Sequence, residues 1–384
     1  MSSHPNEELS SIKSDPLSRR DFLKTMGMVV AGGLLAGCAP KLATLSAPSV
    51  TAVTSGTPVL YRPVVALAQA QTYDRKLIRQ QMQALFDGLG GVKDILDSGD
   101  KAVLKVNLTG GTQYKPKDGE KPTEYHITHP EVVRAVGELL LDAGAKSLYI
   151  VESLSDAHSV SEYGYTEIIR SLNATLIDLN QATPYSDFAI VPVEPDHYIY
   201  EKLLLNPILK EADCFVSIAK MKPHCSAGVT LSMKNLVGIG PLRYYRRSAG
   251  DGNRTSFHGT ETGKNTRLPR VIVDLNRARP INLAVIDGVS TIEGGEGPWT
   301  IYTKQVKPGV LLAGKNALAT DSVAASVMGF DPTSEAPDAP FLQSDNYLNL
   351  ACAQGLGTNH LNAIDTVGVD PAEVHYPFAA CTEW

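Results

Sequence analysis

The sequence predicts a three-layer α/β protein with a mixed, mostly parallel sheet, arranged as two closely apposed lobes. Three observations predict it. From residue 60 onward short apolar runs alternate with amphipathic stretches of helical period, turn and cap signals separate the two, and no long polar linker divides the chain. Of the 384 residues 43% are apolar and 20% charged, enough apolar material for a sizeable core, so a disordered chain is excluded. The formal charge of -6 excludes nucleic acid as a partner, because a phosphate backbone needs a basic surplus, and leaves room for a small anion in a local basic pocket.

In order, the apolar run at 103–108 predicts a strand, and Thr128 with Glu131 three residues on predicts a capping box opening a helix. That helix places Val132, Val133, Val136, Leu139, Leu140 and Ala143 on one face and stops at Gly144. A strand at 148–151, a helix at 165–172, a strand at 175–179, a short β pair within 190–200 and a strand at 214–219 follow. The second half predicts helices from Thr230 and at 268–277, strands at 281–286 and 309–313, and helices at 317–328 and 341–354.

Ahead of this body, Ser18-Arg19-Arg20-Asp21-Phe22-Leu23-Lys24 precedes a short apolar run at 26–37 that ends Leu35-Ala36-Gly37-Cys38. A dozen residues are too few to span ~30 Å of hydrocarbon, so the run reads as a signal and not a membrane helix. The pattern resembles a twin-arginine signal peptide over 1–37, with Arg19 and Arg20 read by a translocase that carries folded cargo. The end of the run resembles a lipobox, which implies lipid attachment at Cys38. Residues 39–58, rich in Ala, Ser, Thr and Pro, read as a flexible tether. The expected location is the outer face of the cytoplasmic membrane, the periplasm or the outer membrane. The other cysteines, Cys214, Cys225, Cys352 and Cys381, form no C-x-x-C pair, so no iron-sulfur module or zinc ribbon is encoded. Cys214 lies in an apolar run and reads as a packed core thiol, whereas Cys225, next to His224, is a candidate reactive thiol.

The densest candidate site runs from Lys220 to Asn235. A strand ending near Lys220 hands over to a loop with Lys222 and His224, placed at the carboxyl edge of the sheet where ligands bind in α/β folds. A helix starting near Val229 would aim free N–H groups at an anion, and Lys234, one turn beyond Thr230, would reach back toward the loop. Lys220, Lys222, Lys234 and Asn235 are therefore candidate ligand-binding residues, with Lys105 and Asn107 from the strand at 103–108. Asp287 closes a strand, and Glu293 opens a glycine-rich loop at 293–298. With His224 they are the candidate catalytic residues, as general acid and base or as holders of a divalent metal. His258 joins His224 and Asp287 as a candidate metal ligand. The basic aromatic run Arg243-Tyr244-Tyr245-Arg246-Arg247 is a candidate lid. Solvated loop charges and turn carboxylates are the competing reading for each.

Through Lys105-Val106-Asn107, Thr128-His129-Pro130-Glu131-Val132-Val133, Lys222-Pro223-His224, Met233-Lys234-Asn235-Leu236-Val237-Gly238, Asp287-Gly288 and Ala319-Thr320-Asp321, residues 60–380 resemble the bacterial and archaeal family called domain of unknown function 362. The family usually shows Lys-Pro-Asn at the first of these, so Val106 is a departure. Some relatives carry appended ferredoxin-like modules, which implies redox work for them; none is encoded here. A distant likeness to the nickel-pincer lactate racemase group implies two α/β lobes around a site lined by lysine and histidine. Two functions are expected to compete. One is an enzyme on a small carboxylate or phosphate, with a divalent metal possible. The other is a non-catalytic envelope lipoprotein that captures a ligand or cofactor. The expected partners are the twin-arginine translocase, a lipid anchor and that small anion.

Overall fold

Along the first strand Val65 and Leu67 face one apolar layer while Ala66 and Ala68 face another, and this alternation recurs along the sheet. The computed structural model describes residues 62–383, apart from 194–195 and 261–262. The expected signal at 1–37 with Arg19 and Arg20, the lipidation cysteine Cys38 and the tether at 39–58 lie outside the described residues.

The strands are β1 Val64–Gln69, β2 Lys101–Lys105, β3 Ser147–Glu152, β4 Thr175–Asp178, β5 Ala189–Pro192, β6 Lys202–Leu205 and β7 Cys214–Lys220. They continue as β8 Lys222–His224, β9 Gly228–Thr230, β10 Leu283–Gly288, β11 Thr291–Glu293, β12 Lys304–Val306, β13 Val310–Gly314 and β14 Asp365–Gly368. Eight of them form one sheet in the order β14-β1-β13-β10-β7-β2-β3-β4, and only β13 runs against its neighbours. Helices Arg75–Gly88 and Pro130–Asp142 cover one face; Arg267–Ala278, Ala317–Val327 and Tyr347–Ala353 cover the other. The mixed, mostly parallel three-layer α/β architecture is thus present. The two expected lobes are not separate: residues 62–384 form a single unit built on this one sheet.

Three local expectations are corrected. The helix expected from Thr230 is instead the hairpin β8–β9 followed by a 3₁₀ helix, Lys234–Ile239. Gly228 decides this: its φ of 74° reverses the chain, and a Cβ there would lie 2.4 Å from the Phe341 ring. The capping residue of Pro130–Asp142 is His129, whose Nδ1 accepts from the Glu131 amide at 3.2 Å. The Thr128 hydroxyl is engaged elsewhere, accepting from Asn107 N and donating to Ile218 O, so it ties the chain beyond β2 to β7. The helix expected at 341–354 starts only at Tyr347, because Asn346 takes the Leu348 and Asn349 amides and caps it.

The β pair near 190–200 is β5–β6, and the loop between them is fixed from below. Asp274, fully buried in helix Arg267–Ala278, accepts from the amides of Tyr198, Ile199 and Tyr200 at 2.8, 2.7 and 2.8 Å. Asp74, by contrast, caps Arg75–Gly88 at the exposed surface. Asp274→Ala strands three amides and is expected to lower the unfolding free energy by about 3 kcal/mol or more, whereas Asp74→Ala costs about 1 kcal/mol. Urea denaturation of the two variants checks this; equal costs would show that the loop does not depend on Asp274.

Candidate functional site

From β2 the parallel order runs outward through β3 and β4 on one side and through β7 and β10 on the other. The connections therefore diverge at the carboxyl ends of β2 and β7, the place where α/β sheets open a crevice. Lys105 ends β2 there. Its ammonium donates to Glu152 Oε2 at 3.0 Å, Val106 O at 2.6 Å and Asn235 Oδ1 at 3.2 Å. Glu152, ending β3, also accepts from the Leu108 and Ser153 amides, and the Asn235 amide donates to Ser217 Oγ and Lys105 O. Burial pushes the Lys105 pKa down and Glu152 pulls it back up. With every proton of Lys105 used, this network joins the ends of β2, β3 and β7 to the 3₁₀ helix.

The network forms the wall of a cavity of about 70 Å³ that is also lined by Asn107, Lys234 and Arg254, with room for a carboxylate- or phosphate-sized group. Lys234 is half-buried and, among the described residues, its ammonium has no hydrogen bond or ion pair. Burial pushes it down to about 8, against the pull of Glu296. Asn107 Oδ1 is buried without a hydrogen-bond partner. Arg254 spends its Nε on Gly240 O and has no ion pair among the described residues. Lys234 is held in register by Asp321, which accepts from the Ser232 and Met233 amides at 2.8 and 2.9 Å just before the 3₁₀ helix. Burial raises that carboxyl to about 7.

Within electrostatic reach of Lys234 lies a histidine–carboxylate pair. His224 Nδ1 is 2.9 Å from Glu296 Oε2, and the same carboxylate accepts from Cys225 N and Trp299 Nε1 at 3.2 Å each. Burial pushes the imidazole down to about 4 despite Glu296. For Glu296 burial acts upward, but His224, Lys234 and Trp299 outweigh it and hold the carboxyl far below the usual range. At neutral pH the pair is a neutral ring beside a carboxylate, and Nε2 has no partner among the described residues. Lys222 braces the Glu296 loop by donating to His126 O at 2.9 Å and Glu296 O at 2.8 Å, and burial pushes it down to about 7.

Lys220 and Asp287 are placed elsewhere. They are register partners on β7 and β10 and point to the sheet face opposite Lys105, beside Ile218 and Val285. Both are fully buried and form a 2.9 Å ion pair. Tyr73 donates to Asp287 Oδ1 at 2.7 Å and His129 N to Oδ2 at 3.0 Å, while Lys220 also donates to Tyr73 Oη and Thr123 O. Every oxygen and proton is engaged, so Asp287 has no lone pair to spare for a metal. Glu293 is also structural in its contacts, bonded to exposed Lys304 and to the Ala379 amide of the C-terminal segment. His258 lies within electrostatic reach of His224, but its Nδ1 is 3.0 Å from Arg254 O. The expected ligand trio of His224, His258 and Asp287 does not assemble, and among the described residues no group of three or more His, Cys, Asp or Glu is placed to hold a metal.

Cys225 is not a free thiol: it is disulfide-bonded to Cys381, so its expected reactivity is corrected. Cys214 is a buried free thiol in the core, as its apolar run implies. In the candidate lid, Tyr245 is buried with its hydroxyl on Leu204, and Arg243 and Arg246 line a cleft beside the site. Glu152, Arg254 and Glu296 belong to the site without having been singled out. Glu152 follows directly on an apolar strand run and Glu296 sits between glycines, signals that pattern alone carries; Arg254 lies in a polar stretch that carries none.

Comparison with known proteins settles the family. The model named Domain of unknown function (DUF362) matches residues 103–326, more than half of the chain. The chain belongs to this family. A TAT (twin-arginine translocation) pathway signal sequence matches residues 16–36, so this DUF362 protein carries a signal for export across the cytoplasmic membrane by the twin-arginine translocase. Among the described residues no helix is long and apolar enough to cross a membrane. A thylakoid-associated protein of Synechocystis is 26% identical over 70% of this chain and 76% of its own length. Of solved structures, the lactate racemase apoprotein of Thermoanaerobacterium thermosaccharolyticum is similar at 12% identity and a TM-score of 0.37 over 64% of this chain, which spans 54% of that one. A Thermotoga maritima protein gives 12% identity and a TM-score of 0.33, over 79% and 62% of the two chains. Likenesses this slight carry no functional weight.

The two buried lysine pairs make different demands. Lys220→Met leaves Asp287 buried without a counter-ion and is expected to cost about 3–5 kcal/mol, while adding Asp287→Leu recovers a substantial part of it. Chemical denaturation of the single and double variants checks this, and a Lys220→Met variant of unchanged stability would return Lys220 to the ligand-binding set.

Proposed function

We propose that this exported DUF362 protein is an enzyme that binds a small carboxylate or phosphate at the carboxyl ends of β2 and β7 and moves a proton on it with His224. The observation that carries this reading is Lys234, a half-buried ammonium with no hydrogen bond or close ion pair among the described residues, which lines the cavity with Arg254 and Asn107 and feels only the longer-range pull of Glu296. Taking a cation this far from water is costly unless an anion joins it. A substrate anion supplies that partner, and the remaining donors of Arg254 add to it. Asn107 Oδ1 accepts a hydroxyl or amine proton of the same molecule. His224, whose Nδ1 faces both Glu296 Oε2 and the Ser226 amide, acts as the base through Nε2 in the tautomer whose Nδ1–H donates to Glu296, and the imidazolium formed on proton uptake is stabilised by that carboxylate. The cationic surroundings suit an anion better than a free metal ion, so no step is routed through a metal.

The sign of the pH dependence follows from the lysines. Anion binding needs Lys234 protonated, so affinity is complete only well below about 8 and is lost as pH rises through that value. In titration calorimetry against a panel of small carboxylates and phosphates, Lys234→Gln is expected to lose on the order of 10–100-fold in affinity. Binding that strengthens with rising pH, or a fully retained affinity in Lys234→Gln, overturns the anion site. For an identified substrate, His224→Gln is expected to lower kcat by about 10²–10⁴ with little change in binding. Unchanged turnover in that variant overturns the proton-transfer role, and binding without turnover of any ligand favours a ligand-capturing protein.

We also propose that Cys38 is acylated once the signal is removed, which tethers the body through residues 39–58 to the outer face of the cytoplasmic membrane or to the outer membrane. Cys38→Ser is expected to move the exported protein from the membrane to the soluble fraction; an unchanged membrane fraction overturns the anchor.

A further inference from the structure

Beside the inner cavity, and sharing Ser155 with it, an open cleft of about 390 Å³ lies over the carboxyl ends of β3 and β4. Its charged lining is Asp156, Asp178, Arg243 and Arg246. The two carboxylates are already engaged by the backbone. Asp156 takes the Thr112 amide at 2.7 Å and the Ser159 amide at 2.9 Å, and Asp178 Oδ1 takes the Leu154 and Asn180 amides at 3.2 and 2.9 Å. The guanidiniums are not engaged in the same way. Among the described residues Arg243 makes no hydrogen bond or ion pair and lies 5.0 Å over the Tyr244 ring, while Arg246 donates only Nη1, to Ala249 O at 2.9 Å. Stacking on an aromatic ring leaves the planar fork of a guanidinium free to grip a carboxylate or phosphate edge-on. Asp178 and Asn180 fix the cleft against the inner cavity, because Asn180 Nδ2 donates to Leu154 O and Asn180 Oδ1 accepts from Leu242 N at the start of the segment that carries both arginines.

We propose that the two hollows are one bipartite site and that the substrate is a dianion: one anionic group on Lys234 and Arg254 in the inner cavity, a second on Arg243 and Arg246 in the outer cleft. This rests on the anion reading of the inner cavity and adds the substrate class, a dicarboxylate or a phosphorylated acid, with Arg243 and Arg246 as specificity determinants. A hydroxyl-rich neutral tail would leave the hydrogen-bond donors of both guanidiniums unused, whereas a second anion takes both.

The test compares α,ω-dicarboxylates of three to six carbons with monocarboxylates of the same length, and phosphoglycolate with glycolate, by titration calorimetry on the full-length protein. At least one dianion is expected to bind wild type about 10-fold or more tighter than its monoanionic counterpart, and the Arg243→Gln, Arg246→Gln double variant is expected to bring that ratio to about one. Lys234→Gln is expected to weaken both classes. A wild-type ratio near one, or a ratio that survives the double arginine change, overturns the dianion proposal while leaving the inner site standing. Failure of both classes to bind wild type overturns the inner-site reading and this proposal with it. Thermal denaturation of the double variant shows that a lost preference is not a lost fold.

Discussion

Lys105 stands at the end of a strand with an exposure near zero, and an ammonium in that position survives only when all three of its protons are taken. Glu152 alone would not suffice; Val106 O and Asn235 Oδ1 complete the set. Much else depends on this arrangement. Glu152 also takes the Leu108 and Ser153 amides, so one carboxylate ties the chain beyond β2 to the chain beyond β3 beside the cavity that Lys234 lines. Gly238 is part of the same constraint: a Cβ there would fall 2.4 Å from Glu152 Oε1 and 2.7 Å from Lys105 Nζ, so the 3₁₀ helix can lie on the ion pair only through a glycine.

A second lysine pair, on the neighbouring strands β7 and β10, shows how one sheet edge serves two purposes. Lys105 shares the face of Val103, and Lys220 shares the face of Ile218; the two faces are opposite because side chains alternate along a strand. On the Lys220 side helices Arg75–Gly88 and Pro130–Asp142 bring Tyr73 and His129 to close the charge completely. On the Lys105 side the covering element is a short 3₁₀ helix that supplies Lys234, whose ammonium has no hydrogen bond or close ion pair among the described residues. The saturated pair holds the edge together and the unsaturated cation is left for a ligand.

This difference also marks what could be read from the sequence. Apolar periodicity placed six of the eight strands of the main sheet, since each period reports a face that must be buried, but it did not single out β1, helix Arg75–Gly88 or β14. Of the motif residues, Lys105, Asn107, Lys234 and Asn235 line one cavity, with Lys222 and His224 in electrostatic reach of Lys234. The partition of Lys220 and Asp287 away from them was implied by the same two-residue period but needs the register of β7 on β10 to become visible. The hairpin in place of a helix at Val229 turns on one glycine conformation and on a long-range contact with Phe341. Arg254 and Glu296 reach the site from loops more than 140 residues beyond β2, positions that no local pattern ties together. The disulfide is of the same kind, with its cysteines 156 positions apart in the chain.

That bridge links the site to the route the chain takes. Cytosolic thiols are kept reduced, and disulfides persist in compartments outside the cytoplasmic membrane. A protein carried across already folded therefore has to build the His224–Glu296 pair without the bridge. The contacts around it allow this: Gly294 N donates to Ala379 O, Glu293 takes the Ala379 amide and Phe378 is buried in the core, so noncovalent contacts dock the C-terminal segment on the Glu296 loop. Cys381 is then held next to Cys225, whose own amide already reaches Glu296. The covalent link closes a loop that is formed before it, which limits how far the tail can leave the site once the protein is in an oxidising compartment and leaves the arrangement of charges to noncovalent bonds.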